Sequence, residues 1–171
     1  IFPQNFTQGH FAFFTMTTSP KAAKLVVVEY EDLTGGKGRR LIAFVYWAGM
    51  VGAHNAVWTY AQRTGAFELP RLQDLFDYAA AKEVYAKLDM PPLRIVLTGT
   101  GRVGQGAAQV LHDMGLDRLG PKDYLSGMGK SVFTQLHMKN YVRHPNGEPF
   151  DKAHFYAHGE EYASAFSPYT E

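Results

Sequence analysis

The sequence predicts an α/β fold built on a parallel sheet, and three observations carry that prediction. The apolar run "LRIVLT" at 93–98 breaks into the glycines of "GTGRVG" and continues as a helical pattern to about Met114. A strand, a tight turn and a helix in that order open a βαβ unit. Two further short runs, "LVVVEY" at 25–30 and "SVFTQL" at 131–136, have the β-branched and aromatic content of strands.

Taken from the N-terminus, Leu25–Tyr30 reads as a strand, "TGGKG" at 34–38 as a turn and Arg39–Tyr46 as a returning strand. The stretch from Trp47 to Gly65 has helical spacing, and Ala48, Gly49, Gly52, Ala53 and Ala56 would let another backbone come close. Gly65 is placed to stop that helix. A second helix is expected over Leu72–Leu88 and must end at "DMPP", because Pro91 cannot continue it and Met90 is pushed extended. Strand Leu93–Thr98, the glycine loop and helix Val103–Met114 follow. Beyond Gly120, "SVFTQL" reads as a strand, "RHPNGEPF" as a surface loop and Gly159–Phe166 as a short helix. The best connection between domains is 68–92, dividing the chain into 1–67 and 93–171.

Composition narrows the class. Hydrophobic residues make up 46% and charged residues 19% of 171, a globular balance. A net charge of +1 offers nothing for nucleic acid or an anionic membrane surface. No apolar stretch approaches the roughly 20 residues of a membrane span. With no cysteine, thiolate catalysis, disulfides and cysteine-bound zinc are all excluded, and a reducing, cytoplasmic compartment is compatible. The chain opens "IFPQNF" and closes "SPYTE", without a signal-peptide pattern, and reads as a piece of a longer protein.

Gly99-Thr100-Gly101-Arg102-Val103-Gly104 matches G-x-G-x-x-G in its proper place between strand and helix. In a Rossmann-like dinucleotide site Gly99 would allow the sharp turn, Gly101 the close approach of pyrophosphate, and Gly104 tight packing. Arg102 and Val103 would open the helix whose free N–H groups face the phosphates. The alternative is a strand-to-helix turn that uses glycine only for geometry. No Gly-Lys-Ser/Thr follows, which excludes a Walker phosphate loop. An acidic residue about 20 positions on should hold the ribose; Asp123 lies near that distance, with Asp117 as second choice. NAD is the expected cofactor. Lys122 or Arg102 could favour a 2′-phosphate, so NADP stays open.

Two segments together resemble the lysine-forming saccharopine dehydrogenases, within the alanine dehydrogenase and transhydrogenase fold group. One is "GRRLIAFVYWAGMVGAHNA", where Arg39, Arg40, Ala43, Phe44, Ala48, Gly49, Gly52 and Ala53 match an R-R-x-x-A-F…A-G-x-x-G-A pattern. The other is the loop, where Gly101, Arg102, Gly104, Gly106 and Ala107 match G-R-x-G-x-G-A. The tail from Ser131 to Phe166 looks like a bacterial lineage-specific segment. The resemblance implies two Rossmann-like domains: a substrate and catalytic part in 1–67, and an incomplete dinucleotide-binding domain in 93–171. It also implies hydride transfer at a carbon–nitrogen bond of an amino acid, of the lysine, 2-oxoglutarate and saccharopine type, with a lysine and a histidine assisting. An alanine dehydrogenase-type reaction is the alternative. The family lysine falls before Ile1, and in the family's F-F-S-H pattern Met16 stands where histidine would be. No catalytic residue is therefore assigned, and a nucleotide-binding module without catalysis is the second reading. The chain also looks shorter than the family between Met16 and Glu29.

Arg39 and Arg40 could grip a substrate carboxylate bidentately, or flank a turn as a solvated pair. His154 and His158, four apart with Glu160 and Glu161 beside them and His137 and His144 before, could share a metal if helical. Lacking a defined third ligand, they read as exposed histidines of a polar loop, and no metal is assigned. Trp47, Trp58, Tyr60 and Phe67 read as packing residues. The partner expected is a small amino-acid or oxo-acid substrate, with homo-oligomerisation left open.

Overall fold

The computed structural model describes the backbone pairing of 12–16 and 23–27, and residues 45–170 apart from 128 and 145. The chain divides into two compact units, Ile1–Phe44 and Val45–Glu171. In the first, strands β1 (Ala12–Met16) and β2 (Ala23–Val27) pair antiparallel, with Met16 opposite Ala23. The register pairs all five residues of each strand, from Ala12 opposite Val27 to Met16 opposite Ala23. The strand read at Leu25–Tyr30 overlaps β2. Its expected return over Arg39–Tyr46 does not extend to its end, because Val45 and Tyr46 already lie in a helix.

That helix, α1 (Val45–Thr64), opens the second unit. Its buried residues Gly49, Met50, Ala53, His54, Val57 and Ala61 form one stripe at helical spacing. It ends at Gly65, whose φ of +65° is the left-handed geometry expected of a helix stop. The expected long helix over Leu72–Leu88 is broken. A 3₁₀ turn covers Leu72–Asp74, and α2 runs only Tyr78–Tyr85. Asp77 explains the restart: its carboxylate accepts from the Ala80 N–H at 2.9 Å, a helix N-cap.

Three parallel strands follow, β3 (Arg94–Thr98), β4 (Asp117–Leu119) and β5 (Val132–Leu136), in the spatial order β3–β5–β4. All five residues of β5 are buried, as the middle strand of a parallel sheet requires. Helix α3 (Arg102–Asp113) crosses between β3 and β4. Helix α4 (Pro121–Leu125), α5 (Met138–Tyr141) and α6 (Lys152–Ala157) are short. A two-stranded antiparallel ribbon, β6 (Val142–Arg143) with β7 (Ala163–Ser164), closes the tail. Its second strand falls inside the helix expected over Gly159–Phe166, of which only a 3₁₀ turn at Gly159–Glu161 forms. Among the described residues no helix is long and apolar enough to cross a membrane.

Candidate functional site

The glycine loop stands at the carboxyl end of β3, where open α/β sheets bind ligands. Gly99 has φ +90°, a conformation that side-chain-bearing residues rarely adopt. Its N–H donates to the Leu136 carbonyl at 2.9 Å, and its own carbonyl accepts from Gln135 Nε2 at 2.8 Å. The first residue of the loop is thus tied at both polar atoms to β5. Gly104 sits directly above this knot: a Cβ there would come within 2.2 Å of the Gly99 carbonyl oxygen and 2.9 Å of Gln135 Nε2. The tight packing expected of Gly104 is present, and its partners are the loop's own first residue and a side chain of β5.

Gly101 differs. It is the N-cap of α3 and supplies no side-chain cap, and a Cβ placed on it would meet nothing within 4 Å among the described residues. The first helical bond runs from Gln105 N–H to Gly101 O at 2.9 Å, so the N–H groups of Arg102, Val103 and Gly104 precede any intrahelical bond. No acidic residue occupies the first turn. Those N–H groups, the helix dipole and the open space at Gly101 suit an anionic group such as pyrophosphate.

Beside the loop lies an open, mostly apolar pocket of about 730 Å³ between α1, β3 and α3. Its charged lining residues among those described are Arg94 and Arg102, both cationic. Arg94 turns its guanidinium onto Tyr124, over the ring and hydrogen-bonded to the carbonyl oxygen. Arg102 is exposed at the head of α3. The pocket exists because α1 and α3 meet backbone to backbone below it. A Cβ on Gly49 would lie 1.8 Å from Val103 O, and one on Gly106 would lie 2.0 Å from Tyr46 O. The close approach expected of α1's small residues is therefore made at Gly49, whereas Gly52 has open space around it. Helix α1, read from sequence with the substrate part, packs against the helix that follows the glycine loop.

The remaining candidates are spread out. Val103 is half-exposed in the first turn of α3. Asp123 lies exposed in the first turn of α4, a helix held by the bond from Arg94, the first residue of β3, to Tyr124. Asp117 begins β4 opposite Val132, level with Arg94, at the end of the sheet away from the loop. Arg39 and Arg40 lie outside the described residues.

Two residues near the site carry no motif in the sequence. Gln135 is buried and fastens the loop, a role set by strand pairing that local pattern does not reveal. His137 directly follows β5, beside the residue that bonds Gly99, and caps α5 in a reciprocal arrangement with Asn140.

Below the pocket, His54 is fully buried. Its Nε2–H donates to the Pro70 carbonyl at 2.9 Å, because a carbonyl only accepts, so Nδ1 accepts from the Tyr85 hydroxyl at 2.8 Å. Burial holds the His54 pKa below the ordinary 6.5, partly offset by the bond to Pro70. Burial likewise pushes Tyr85 up to about 12, and raises Tyr78, whose hydroxyl donates to Asp113 Oδ2 at 2.5 Å. The two side-chain bonds tie α1 to α2 through His54 and Tyr85, and α2 to α3 through Tyr78 and Asp113.

The chain is similar to alpha-aminoadipic semialdehyde synthase of Arabidopsis thaliana, 29% identical over 186 aligned positions that cover 86% of this chain and 18% of that protein. It is also similar to the mitochondrial alpha-aminoadipic semialdehyde synthases of Rattus norvegicus and Mus musculus, each 24% identical over 198 positions, covering 94% of this chain and 21% of theirs. The chain spans about a fifth of the length of these curated relatives. The aligned stretches exceed its 171 residues, so the relatives carry segments that it lacks. No protein-family model matches the sequence.

Proposed function

We propose that residues 45–171 form the cofactor-binding part of an NAD(P)-dependent amino-acid dehydrogenase of the saccharopine dehydrogenase type. The observation that carries this reading is the head of α3, with Gly101 open among the described residues and Gly104 packed against the Gly99 carbonyl. In it the N–H groups of Arg102, Val103 and Gly104 hold the pyrophosphate, and the Arg102 guanidinium stands beside it. The pocket along β3 takes the rest of the dinucleotide, and Asp123 remains the candidate for the ribose. When bound, the cofactor supplies a hydride acceptor or donor for a carbon–nitrogen bond. NAD is preferred over NADP. The relatives' name, a synthase of an amino-acid semialdehyde, supports an amino-acid substrate. Arg39 and Arg40 are proposed to hold its carboxylates.

NADH and NADPH fluorescence titrations test the cofactor. Gly101→Ala should leave the fold intact, since its methyl meets open space, yet weaken dinucleotide binding at least tenfold. The lost affinity corresponds to about 1.4 kcal/mol or more. Dinucleotide affinity unchanged in that variant sinks the reading. For the reaction, the full-length protein should oxidise NADH with lysine plus 2-oxoglutarate; turnover with pyruvate and ammonia instead moves it to the alanine dehydrogenase type.

A second reading, a nucleotide-binding module without catalysis, is favoured by Met16, which stands where the family has its histidine. In that case the titrations succeed, and neither substrate pair is turned over.

A further inference from the structure

The tail beyond β5 carries a cluster that the nucleotide site does not use. The β6–β7 register, Val142 opposite Ser164 and Arg143 opposite Ala163, brings His144 level with Tyr162. Their rings stand 5.1 Å apart. The segment 154–158, read from sequence as loop, is instead the end of α6 and its C-cap, so His154 and His158 lie one turn apart with ring centroids at 4.8 Å. The chain then folds through the Gly159–Glu161 turn, which returns Glu161 over both of them.

One carboxylate therefore faces three imidazoles. Glu161 Oε2 lies 3.9 Å from His144 Nε2 and 3.9 Å from His154 Nε2, and Oε1 lies 3.6 Å from His158 Nδ1. These separations are too long for hydrogen bonds. The tautomer of His154 sharpens the point. The Tyr162 hydroxyl donates to the Asp151 carbonyl at 3.4 Å, so its oxygen accepts from His154 Nδ1–H at 3.2 Å. In the neutral ring, Nε2 then presents a lone pair to the carboxylate. Two electron-rich atoms facing one another at that distance repel unless a cation lies between them. His144 adds a second anomaly: its side chain is only 8% exposed, and its Nδ1 has no hydrogen-bond partner among the described residues.

We propose that His144, His154 and Glu161 bind a divalent cation of the zinc class, with His158 or water completing the coordination. Their ligand atoms all lie within 4.8 Å of one another. Zinc bonds of roughly 2.0–2.2 Å set tetrahedral ligand spacings of about 3.3–3.6 Å, so the two 3.9 Å pairs need close by about half an ångström at most and the imidazole pair by no more than about 1.5 Å. Glu161 and His154 are partly exposed and can make that movement. Two imidazoles with one carboxylate select zinc, cobalt, nickel or copper over magnesium or calcium, which prefer oxygen alone. The bond from His154 Nδ1 to Tyr162 is the outer partner that orients a metal-bound imidazole. The ion would staple β6, α6 and β7 together, a segment whose own apolar packing includes Phe150, Phe155 and Tyr162.

Calorimetric titration of the metal-stripped 171-residue chain with Zn²⁺ tests the site, with Co²⁺ as a spectroscopic stand-in. One ion per chain is expected, with the visible absorption of four-coordinate Co²⁺. Affinity should fall at least tenfold in Glu161→Gln and in His154→Gln, and remain unchanged in the surface control Glu83→Gln. Circular dichroism of the stripped variants checks that they fold; Glu161→Gln alters an exposed side chain of the same shape. Absence of saturable Zn²⁺ binding overturns the proposal. So does binding that survives both substitutions, or calcium bound as tightly as zinc.

Discussion

Replacing Gly49 by alanine should force α1 and α3 apart, while the same change at Gly52, three residues on, should strengthen the helix. The two positions share a helix and a backbone conformation, so intrinsic propensity acts on both alike. In each case alanine gains up to about 1 kcal/mol over glycine in a helix interior. What separates them is the neighbour. At Gly49 the new methyl would lie 1.8 Å from Val103 O, 2.7 Å from Val103 C and 3.0 Å from Ala107 N. All three are backbone atoms, so no rotamer change relieves the clash. The contact must open by roughly 1.6 Å to reach ordinary van der Waals distance, and packing across the crossing is lost with it. Overpacking of this kind costs about 1–3 kcal/mol. Because the obstacle is rigid, the upper part of that range applies, leaving a net loss of about 1–2 kcal/mol after the propensity gain. At Gly52 nothing among the described residues lies within 4 Å, and the propensity gain stands alone. Urea unfolding followed by circular dichroism should move the two midpoints in opposite directions. In melting temperature each kcal/mol is worth about 2–4 °C for a chain of this size. Two variants that shift together, in either direction, would refute the assignment of Gly49 to a backbone-on-backbone crossing.

Two further outcomes follow from buried polar groups. The pKa of His54 is held below 6.5 by burial, so the unfolded chain takes up a proton that the folded protein resists. Its contribution is complete above about pH 6.5 and is lost as pH falls below that value toward the folded pKa. Urea midpoints at about pH 7.5 and about pH 5.5 should differ more in the native sequence than in His54→Gln; an equal difference would remove His54 from the linkage. Thr134, buried in the middle of β5, has a hydroxyl without a hydrogen-bond partner among the described residues. Thr134→Val should raise stability by about 1 kcal/mol in thermal unfolding, and a comparable loss would contradict the unpaired hydroxyl.

The glycine loop and its flanking elements were legible because their determinants are local. A positive-φ glycine, an uncapped helix start and an apolar strand all lie within twelve residues of one another. Sheet order was not legible. β4 is three residues long and pairs with β5 rather than with β3, so spacing along the chain could not place Asp117 or Asp123 relative to the loop. The break at 75–77 has a sequence sign, Asp77 ahead of "YAAA", but an apolar periodicity running past it masked the N-cap. Gly106 offers another lesson. Its match to a dehydrogenase loop pattern reads as a cofactor signature, whereas here it lets the Tyr46 carbonyl come close. From Val45 onward, the first matched segment meets the second, far away in sequence, at a single helix crossing. The histidines of the tail were half visible: a spacing of four suggested His154 and His158, but His144 joins them only through the register of β6 and β7.

The double tether on Gly99 has a kinetic side. With its N–H held by Leu136 and its carbonyl by Gln135, the first residue of the loop is fixed by the sheet itself, so under the proposed function the site needs no ligand to shape it. Little ordering entropy is left to be lost on association, and no loop closure need gate entry. A dinucleotide should then associate in one phase whose rate rises linearly with concentration, and affinity differences among loop variants should reside in the dissociation rate. The Gly99 amide should also exchange with solvent slowly, keeping time with the strands rather than with the surface loops.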